Sequence, residues 1–77
     1  MLFFRVWFFY PTARGIEYKY FWWQFEYAQM AEHYARKYAE RCIPNCTKIV
    51  MEWDCGTEKK KRTLRKDTKG KFHRGRN

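Results

Sequence analysis

The residues with the clearest chemical role are lysines and arginines concentrated near the end of the chain. Residues 57–77 carry ten cationic and two acidic side chains, whereas residues 1–56 carry seven and six. A nucleic-acid backbone attracts such a run, because each neutralised phosphate releases condensed counterions. We therefore predict that residues 57–77, the basic tail, bind RNA or DNA. The predicted phosphate contacts are Lys59, Lys60, Lys61, Arg62, Arg65, Lys66, Lys69, Lys71, Arg74 and Arg76.

The basic tail has few apolar groups with which to fold. Its only large apolar side chains are Leu64 and Phe72, and like charges repel along it. A segment of this composition buries too little surface to offset its ordering entropy, so we predict disorder until it binds. A purely solvated, solubilising tail is the alternative. Membrane binding normally requires apolar anchors as well, so we expect no membrane partner.

A second group combines large rings with cations near the start of the chain. Aromatic residues make up 22% of the 77 residues, and nearly all of them precede Gly56. Exposed rings stack on unpaired bases while cations hold phosphates. The same surface also suits a protein partner, including a second copy of the chain. The predicted members of this contact face are Phe3, Arg5, Trp7, Phe9, Lys19 and Phe21.

The cysteines and histidines are too few and too irregularly spaced to predict a metal site. Cys42, Cys46 and Cys55 are odd in number, so a closed disulfide framework is not expected, although Cys46 has a potential partner on either side. With His33 or His73 they would make four zinc ligands, but their spacing lacks the paired repeat of a zinc ribbon. We expect no metal and no cofactor.

No constellation of residues predicts an enzyme. His33 with a cysteine nucleophile, or Glu32 with Glu40, are nominal catalytic pairs. Neither has a third, orienting group at a recognisable spacing, and Glu32 and His33 are expected on the solvated side of a helix. A glycine-rich phosphate loop is also missing from the sequence.

The pattern of apolar residues predicts the elements that position these groups. Residues 2–10 are aromatic and β-branched, and residues 16–22 alternate apolar with charged side chains, so we predict a hairpin with a loop at residues 11–15. Alanines then recur at helical spacing through Arg41, and Pro44 ends the helix. Residues 48–54 alternate again and form a third strand.

These elements predict an α+β fold for residues 1–56, a ββαβ body followed by the flexible tail at residues 57–77. A right-handed crossover places the first strand between the other two, in a three-stranded sheet of order 2-1-3 with the helix on one face. A symmetric five-residue loop places Arg5 opposite Phe21 and Trp7 opposite Lys19. The other face then has no covering element, although a slip of one residue would exchange the faces.

We predict a small basic accessory protein that binds nucleic acid, with the tail on phosphates and the aromatic sheet face on bases or a protein surface. The alternative is an interaction module, a compact inhibitor or adaptor of the kind that phages and mobile elements carry. Such a module would bind a nucleoprotein machine through its aromatic sheet face. Unpaired cysteines are typical of the cytoplasm, and no stretch approaches the roughly 20 apolar residues of a transmembrane helix, so a cytoplasmic location is expected.

Overall fold

Five strands and one helix make up residues 1–75, the part of the chain that the computed structural model describes. The strands are β1 (Leu2–Thr12), β2 (Gly15–Phe25), β3 (Lys48–Cys55), β4 (Glu58–Lys66) and β5 (Phe72–Arg74), and the helix is α1 (Ala28–Cys42). The sheet has the order β2-β1-β3-β4-β5, and all neighbouring strands are antiparallel. The fold is therefore α+β, with α1 linking β2 to β3 across one face.

The hydrophobic core lies between α1 and the central strands. Alternate residues of β1, β3 and β4 point toward the helix, because side chains along a strand alternate between faces. The helix presents a stripe of small, fully buried residues, Ala31, Ala35 and Ala39, which lets it approach the large side chains of the sheet closely. The fully buried sheet side chains are Phe4, Val6, Phe8, Ile49, Met51 and Leu64. Each such burial contributes about 1.5–3 kcal/mol.

The prediction of a three-stranded sheet with a flexible tail is wrong. The segment predicted as a tail forms β4 and β5, which extend the sheet to five strands. β4 pairs with β3 from Glu58 opposite Cys55 to Arg65 opposite Lys48. Gly56, with a φ of 65°, makes the tight reversal between the two strands. The change in composition at residue 56 thus coincides with a hairpin turn.

Two kinds of contact order this basic segment. Leu64 is fully buried and Phe72 is only 6% exposed, so both apolar side chains of the segment are anchored in the core. Across the hairpin, Lys61 lies opposite Glu52, and opposite charges on facing strands attract. Like charges within the segment repel one another, but acids from the rest of the fold lie opposite some of them and offset part of this repulsion.

The turn between β4 and β5 is organised by Asp67. Its Oδ1 accepts hydrogen bonds from the backbone N–H groups of Lys69 and Lys71, both at 2.9 Å, and its Oδ2 lies 2.7 Å from His73 Nε2. These donors, the Lys71 N–H above all, hold the pKa of Asp67 below its usual value. The ionised carboxylate therefore stabilises the turn at neutral pH, and this contribution is lost as the pH falls through the lowered pKa.

We expect Asp67→Ala to loosen β5 without unfolding the protein. The variant removes the acceptor of two backbone N–H groups, so the amide of Lys71 should exchange with solvent faster, measured by hydrogen–deuterium exchange. Thr68→Ala in the same turn is the control and should leave this exchange rate unchanged. Equal exchange rates in Asp67→Ala and the unsubstituted protein would contradict this role of the carboxylate.

The register of the first hairpin also differs from the prediction by one residue. Arg5 lies opposite Trp22 instead of Phe21, because the strands continue to Thr12 and Gly15 and leave only a two-residue loop. Thr12 Oγ1 donates a 2.9 Å hydrogen bond to Gly15 O, and Gly15 has a φ of 118°, in the region that favours glycine. A shift of one residue exchanges the two faces of a strand, so β2 presents the opposite face to α1 from the one predicted.

Candidate nucleic-acid interface

The sheet face that α1 does not cover, here called the open face, is aromatic along β1 and β2. Alternate residues of the two strands place their side chains on it. Several of these side chains are largely exposed, with 64% for Trp22, 59% for Tyr18 and 57% for Phe3. Its apolar side chains are Phe3, Trp7, Phe9, Ile16, Tyr18, Tyr20 and Trp22. A contiguous exposed patch of this kind is typical of a contact surface.

Neighbouring rings on the open face hold one another in place. The ring centroids of Trp7 and Tyr20 are 5.0 Å apart and those of Phe9 and Tyr18 are 5.9 Å apart, both pairs tilted. Trp22 Nε1 donates a hydrogen bond to the Tyr20 hydroxyl. These contacts restrict the rotamers of exposed rings and so lower the entropy that a ligand must remove.

Cations continue the open face along β3 and β4. By register, Lys59, Lys61 and Arg65 of β4 lie on this side, next to Lys48 of β3. Lys48 Nζ is also 4.7 Å from the centre of the Phe9 ring, where the cation and the aromatic strands meet. The open face therefore has an aromatic half on β1 and β2 and a basic half on β3 and β4.

Two carboxylates lie within the basic half, on the strand that borders the aromatic half. Glu52 and Asp54 of β3 flank Arg5, with N···O distances of 3.7 and 3.6 Å. Arg5 is partly buried by these contacts, so its charge is largely compensated. Five cations and two acids on the same face leave it positive, and within residues 1–75 Lys48, Lys59, Lys61 and Arg65 form no salt bridge.

The structure separates the residues predicted as an aromatic contact face. Phe3, Arg5, Trp7 and Phe9 lie on the open face, as the alternation of β1 requires. Lys19 and Phe21 lie on the helix side, where Phe21 packs 5.8 Å from Phe8 and 5.2 Å from Tyr38 between ring centroids. The reason is the register of the hairpin, which exchanged the faces of β2.

Sequence reasoning placed three rings of the open face, Tyr18, Tyr20 and Trp22, beneath the helix. The available signal was the type of ring. One face of β2 carries Tyr18 and Tyr20 and the other carries Phe21 and Phe25, and a phenol tolerates water better than a benzyl ring. Phe21 and Phe25 are partly buried against the core, whereas the tyrosines face outward.

The predicted phosphate contacts are also divided between the two sides of the sheet. Lys59, Lys61 and Arg65 share the open face, whereas Lys69 and Lys71 lie in the β4–β5 connection. The helix side holds Lys60, Arg62, Lys66 and Arg74. Among these, Lys66 Nζ donates a 2.7 Å hydrogen bond to Pro44 O. Arg76 lies outside the described residues.

Arg62 and Arg74 serve a structural purpose around Glu32, which the sequence predicted to be solvated. The Glu32 side chain is only 5% exposed, and Arg36 Nη2, Arg62 Nη1 and Arg74 Nε lie 3.0, 3.1 and 3.0 Å from its oxygens. These four residues are here called the Glu32 cluster. Arg62 also lies 5.4 Å from the Trp53 ring centre. The cluster joins α1 to β4 and β5. Its arginines therefore stabilise the fold through Glu32.

The remaining reactive side chains do not come together. Cys46 is buried, its Sγ lies 3.4 Å from Lys48 O, and burial raises the pKa of its thiol. Cys42 and Cys55 are exposed, and all three cysteines are free. Within residues 1–75, no three side chains of histidine, cysteine, aspartate or glutamate are arranged to hold a metal ion.

Two further findings concern the chain as a whole. The helix among the described residues, α1, falls short of the length and apolar character that crossing a membrane requires. Comparison of the chain with known protein families, with curated protein sequences and with solved structures gave no match.

Proposed function

We propose that this protein binds single-stranded nucleic acid on the open face of its sheet. The observation that carries the proposal is the combination of exposed rings and a net positive charge on one uncovered surface. Base stacking on aromatic side chains contributes about 1–3 kcal/mol per base and tolerates any sequence. Cations beside the rings supply the electrostatic part of the affinity. A duplex offers no unstacked bases to such a surface, so single strands are the favoured ligand.

In this proposal the aromatic half of the open face contacts bases and the basic half contacts phosphates. Strands in a sheet are spaced about 4.8 Å apart, so β4 lies roughly 10 Å from β1. A nucleic-acid strand whose backbone follows β4 can therefore extend its bases toward Trp7 on β1, and Trp22 on β2 lies one strand spacing farther. Lys59, Lys61, Arg65 and Lys48 would contact phosphates. This arrangement replaces the predicted flexible tail by a fixed cationic border.

The proposal is tested by titrating fluorescently labelled 15-nucleotide RNA and DNA strands, and the matching duplexes, with the full chain. We expect tighter binding to single strands and an affinity that falls with salt. Four phosphate contacts predict a slope of about −2.8 in log K against log salt, or roughly fiftyfold weaker binding between 50 and 200 mM. Absence of binding to either single strand at 50 mM salt would refute the proposal.

We expect Lys61→Ala to reduce the salt dependence of this binding. Loss of one phosphate contact should reduce the slope by about 0.7 and weaken binding to all sequences alike. Lys60→Ala is the matched control, since Lys60 lies one residue away with its side chain on the other side of β4, 2.8 Å from Glu58. The same change of slope in both variants would mean that the open face is not the binding surface.

One observation favours the second candidate, a protein-interaction module. Glu52 and Asp54 stand in the middle of the open face, where they repel phosphates but would pair with cations of a protein. In that case the rings would dock on a protein surface, as in a compact inhibitor or adaptor. If the folded protein fails to bind oligonucleotides at low salt, the result would favour the protein-interaction module.

A further inference from the structure

The two edges of the sheet differ in how well they are protected from pairing with another strand. β5 is a short edge of three residues, two of them basic or titratable. β2, at the opposite edge, is 11 residues long and contains no proline. Its pairing with β1 runs without a bulge from Gly15 to Phe25. Proteins usually shorten, bend or charge an edge strand to prevent association, and β2 is neither short nor bent.

The exposed edge of β2 is also apolar. Ile16, Tyr18 and Tyr20 are 65%, 59% and 42% exposed on the open face. Lys19 is the one basic residue of β2, and Glu17 is its one acid. The Lys19 side chain is exposed, and within the described residues it forms no salt bridge. Glu17 Oε2 lies 3.1 Å from Thr12 Oγ1 and 3.7 Å from Arg14 Nε.

The positions of Glu17 and Lys19 allow two copies of β2 to pair with opposite charges facing each other. Glu17 and Lys19 are two residues apart, so they lie on the same face of β2, with Tyr18 between them. An antiparallel pairing of two β2 strands centred on Tyr18 places each Glu17 opposite the Lys19 of the other copy. Pairing centred on Glu17 or on Lys19 would instead place like charges opposite each other, which is destabilising. Charge complementarity therefore selects one register.

We propose that two copies of this chain associate through their β2 edges, antiparallel and centred on Tyr18. The two-fold axis is perpendicular to the sheet, so the association is isologous and closes as a dimer. Ile16 lies opposite Tyr20 of the second copy on the open face, and the Glu17–Lys19 contacts form twice on the other face. The product is a continuous ten-stranded antiparallel sheet.

This association has a consequence for the open face. Both open faces lie on the same side of the joined sheet, with the aromatic halves adjacent at its centre and the basic halves at its two outer borders. Two short surfaces thereby become one long surface. The dimer does not depend on the proposed function, because its contacts are backbone hydrogen bonds and the side chains of β2.

Charge reversal tests both the edge and its register in the full chain. The mass of the particle is measured by sedimentation over a range of protein concentrations. We expect a dimer for the unsubstituted protein, and a dissociation constant roughly tenfold or more higher for Lys19→Glu and for Glu17→Lys, since each reversal creates two repulsive pairs. Lys37→Glu makes the same change of charge on α1 and should leave the dimer intact.

Mixing the two charge-reversed proteins is the decisive measurement. In the mixed pair every contact between positions 17 and 19 is again attractive, so an equimolar mixture should form a heterodimer although each protein alone is largely monomeric. Circular dichroism checks that both variants remain folded. A monomeric unsubstituted protein, a dimer unaffected by Lys19→Glu, or a mixture that stays monomeric would each overturn the proposal.

A dimer formed face to face through the open faces gives a different result. It would dissociate on Phe3→Ala combined with Trp22→Ala and would not respond to mixing of the charge-reversed proteins. The edge dimer should persist in that aromatic variant, because Phe3 lies on β1 and Trp22 lies away from Tyr18. Nucleic-acid binding is measured separately, so failure of the dimer and failure of the proposed function remain distinguishable.

Discussion

Replacing Glu32 by glutamine should lower the free energy of unfolding by about 3 kcal/mol. Removal of one member of a buried ion pair typically costs 3–5 kcal/mol, because the remaining charge stays buried without compensation. In the Glu32 cluster the carboxylate is 5% exposed, but Arg62 and Arg36 are 25% and 34% exposed. Water therefore reaches these arginines in part, which favours the lower end of the range. Urea denaturation followed by tryptophan fluorescence measures the change.

The control for this prediction lies on the same helix. Glu40 is 53% exposed and its nearest cation, Lys37, is 3.9 Å away, so Glu40→Gln should change the free energy of unfolding by no more than about 0.5 kcal/mol. A loss below 1 kcal/mol in Glu32→Gln would contradict the role assigned to the Glu32 cluster. A smaller loss in Arg74→Gln is expected, since Arg74 is the most exposed of the three arginines.

The combined substitution Phe3→Ala and Trp22→Ala should weaken binding of single-stranded nucleic acid by roughly thirtyfold or more. Each ring lost from a stacking surface costs about 1–3 kcal/mol, so the pair costs at least about 2 kcal/mol. The slope of affinity against salt should not change, because the cations of the basic half remain. Fluorescence anisotropy at several salt concentrations measures affinity and slope together.

A matched control distinguishes binding on the open face from nonspecific binding to other exposed apolar side chains. Tyr27 and Met30 are 63% and 47% exposed, comparable to Trp22 and Phe3, but they lie at the start of α1 beside a groove lined by Phe25 and Tyr34. Tyr27→Ala with Met30→Ala should leave the affinity within about twofold. An equal loss of affinity in both double variants would contradict binding on the open face.

The elements that depend on short-range pattern were predictable. Alanines at helical spacing indicated the helix, which runs from Ala28 to Cys42, and Pro44 lies just beyond its end. The alternation of Ile49, Met51 and Trp53 indicated a strand with these residues toward the helix, and all three are buried there. Such periodicity reflects a single amphipathic face, which is a property of neighbouring residues.

The register of the first hairpin was not predictable in this way. Proline and glycine at positions 11 and 15 are compatible with a five-residue loop and with a two-residue loop. Both faces of β2 are rich in large rings, so the hydrophobic pattern does not discriminate between the two registers. Packing of Phe21 and Trp23 against Tyr38 of α1 accompanies the observed register. The identity of the exposed rings, and hence half of the candidate site, depended on that contact.

Composition, charge and local periodicity were sufficient for an α+β fold with one alanine-rich helix and for a surplus of cations suited to polyanions. Only the tertiary structure decided whether the basic segment folds, because its order depends on partners far away in the chain. Glu32 is 30 residues from Arg62 and 42 from Arg74, and Leu64 finds its place only against a core built by other elements. Like charges repel one another locally, but a carboxylate and a core supplied from elsewhere reverse the balance.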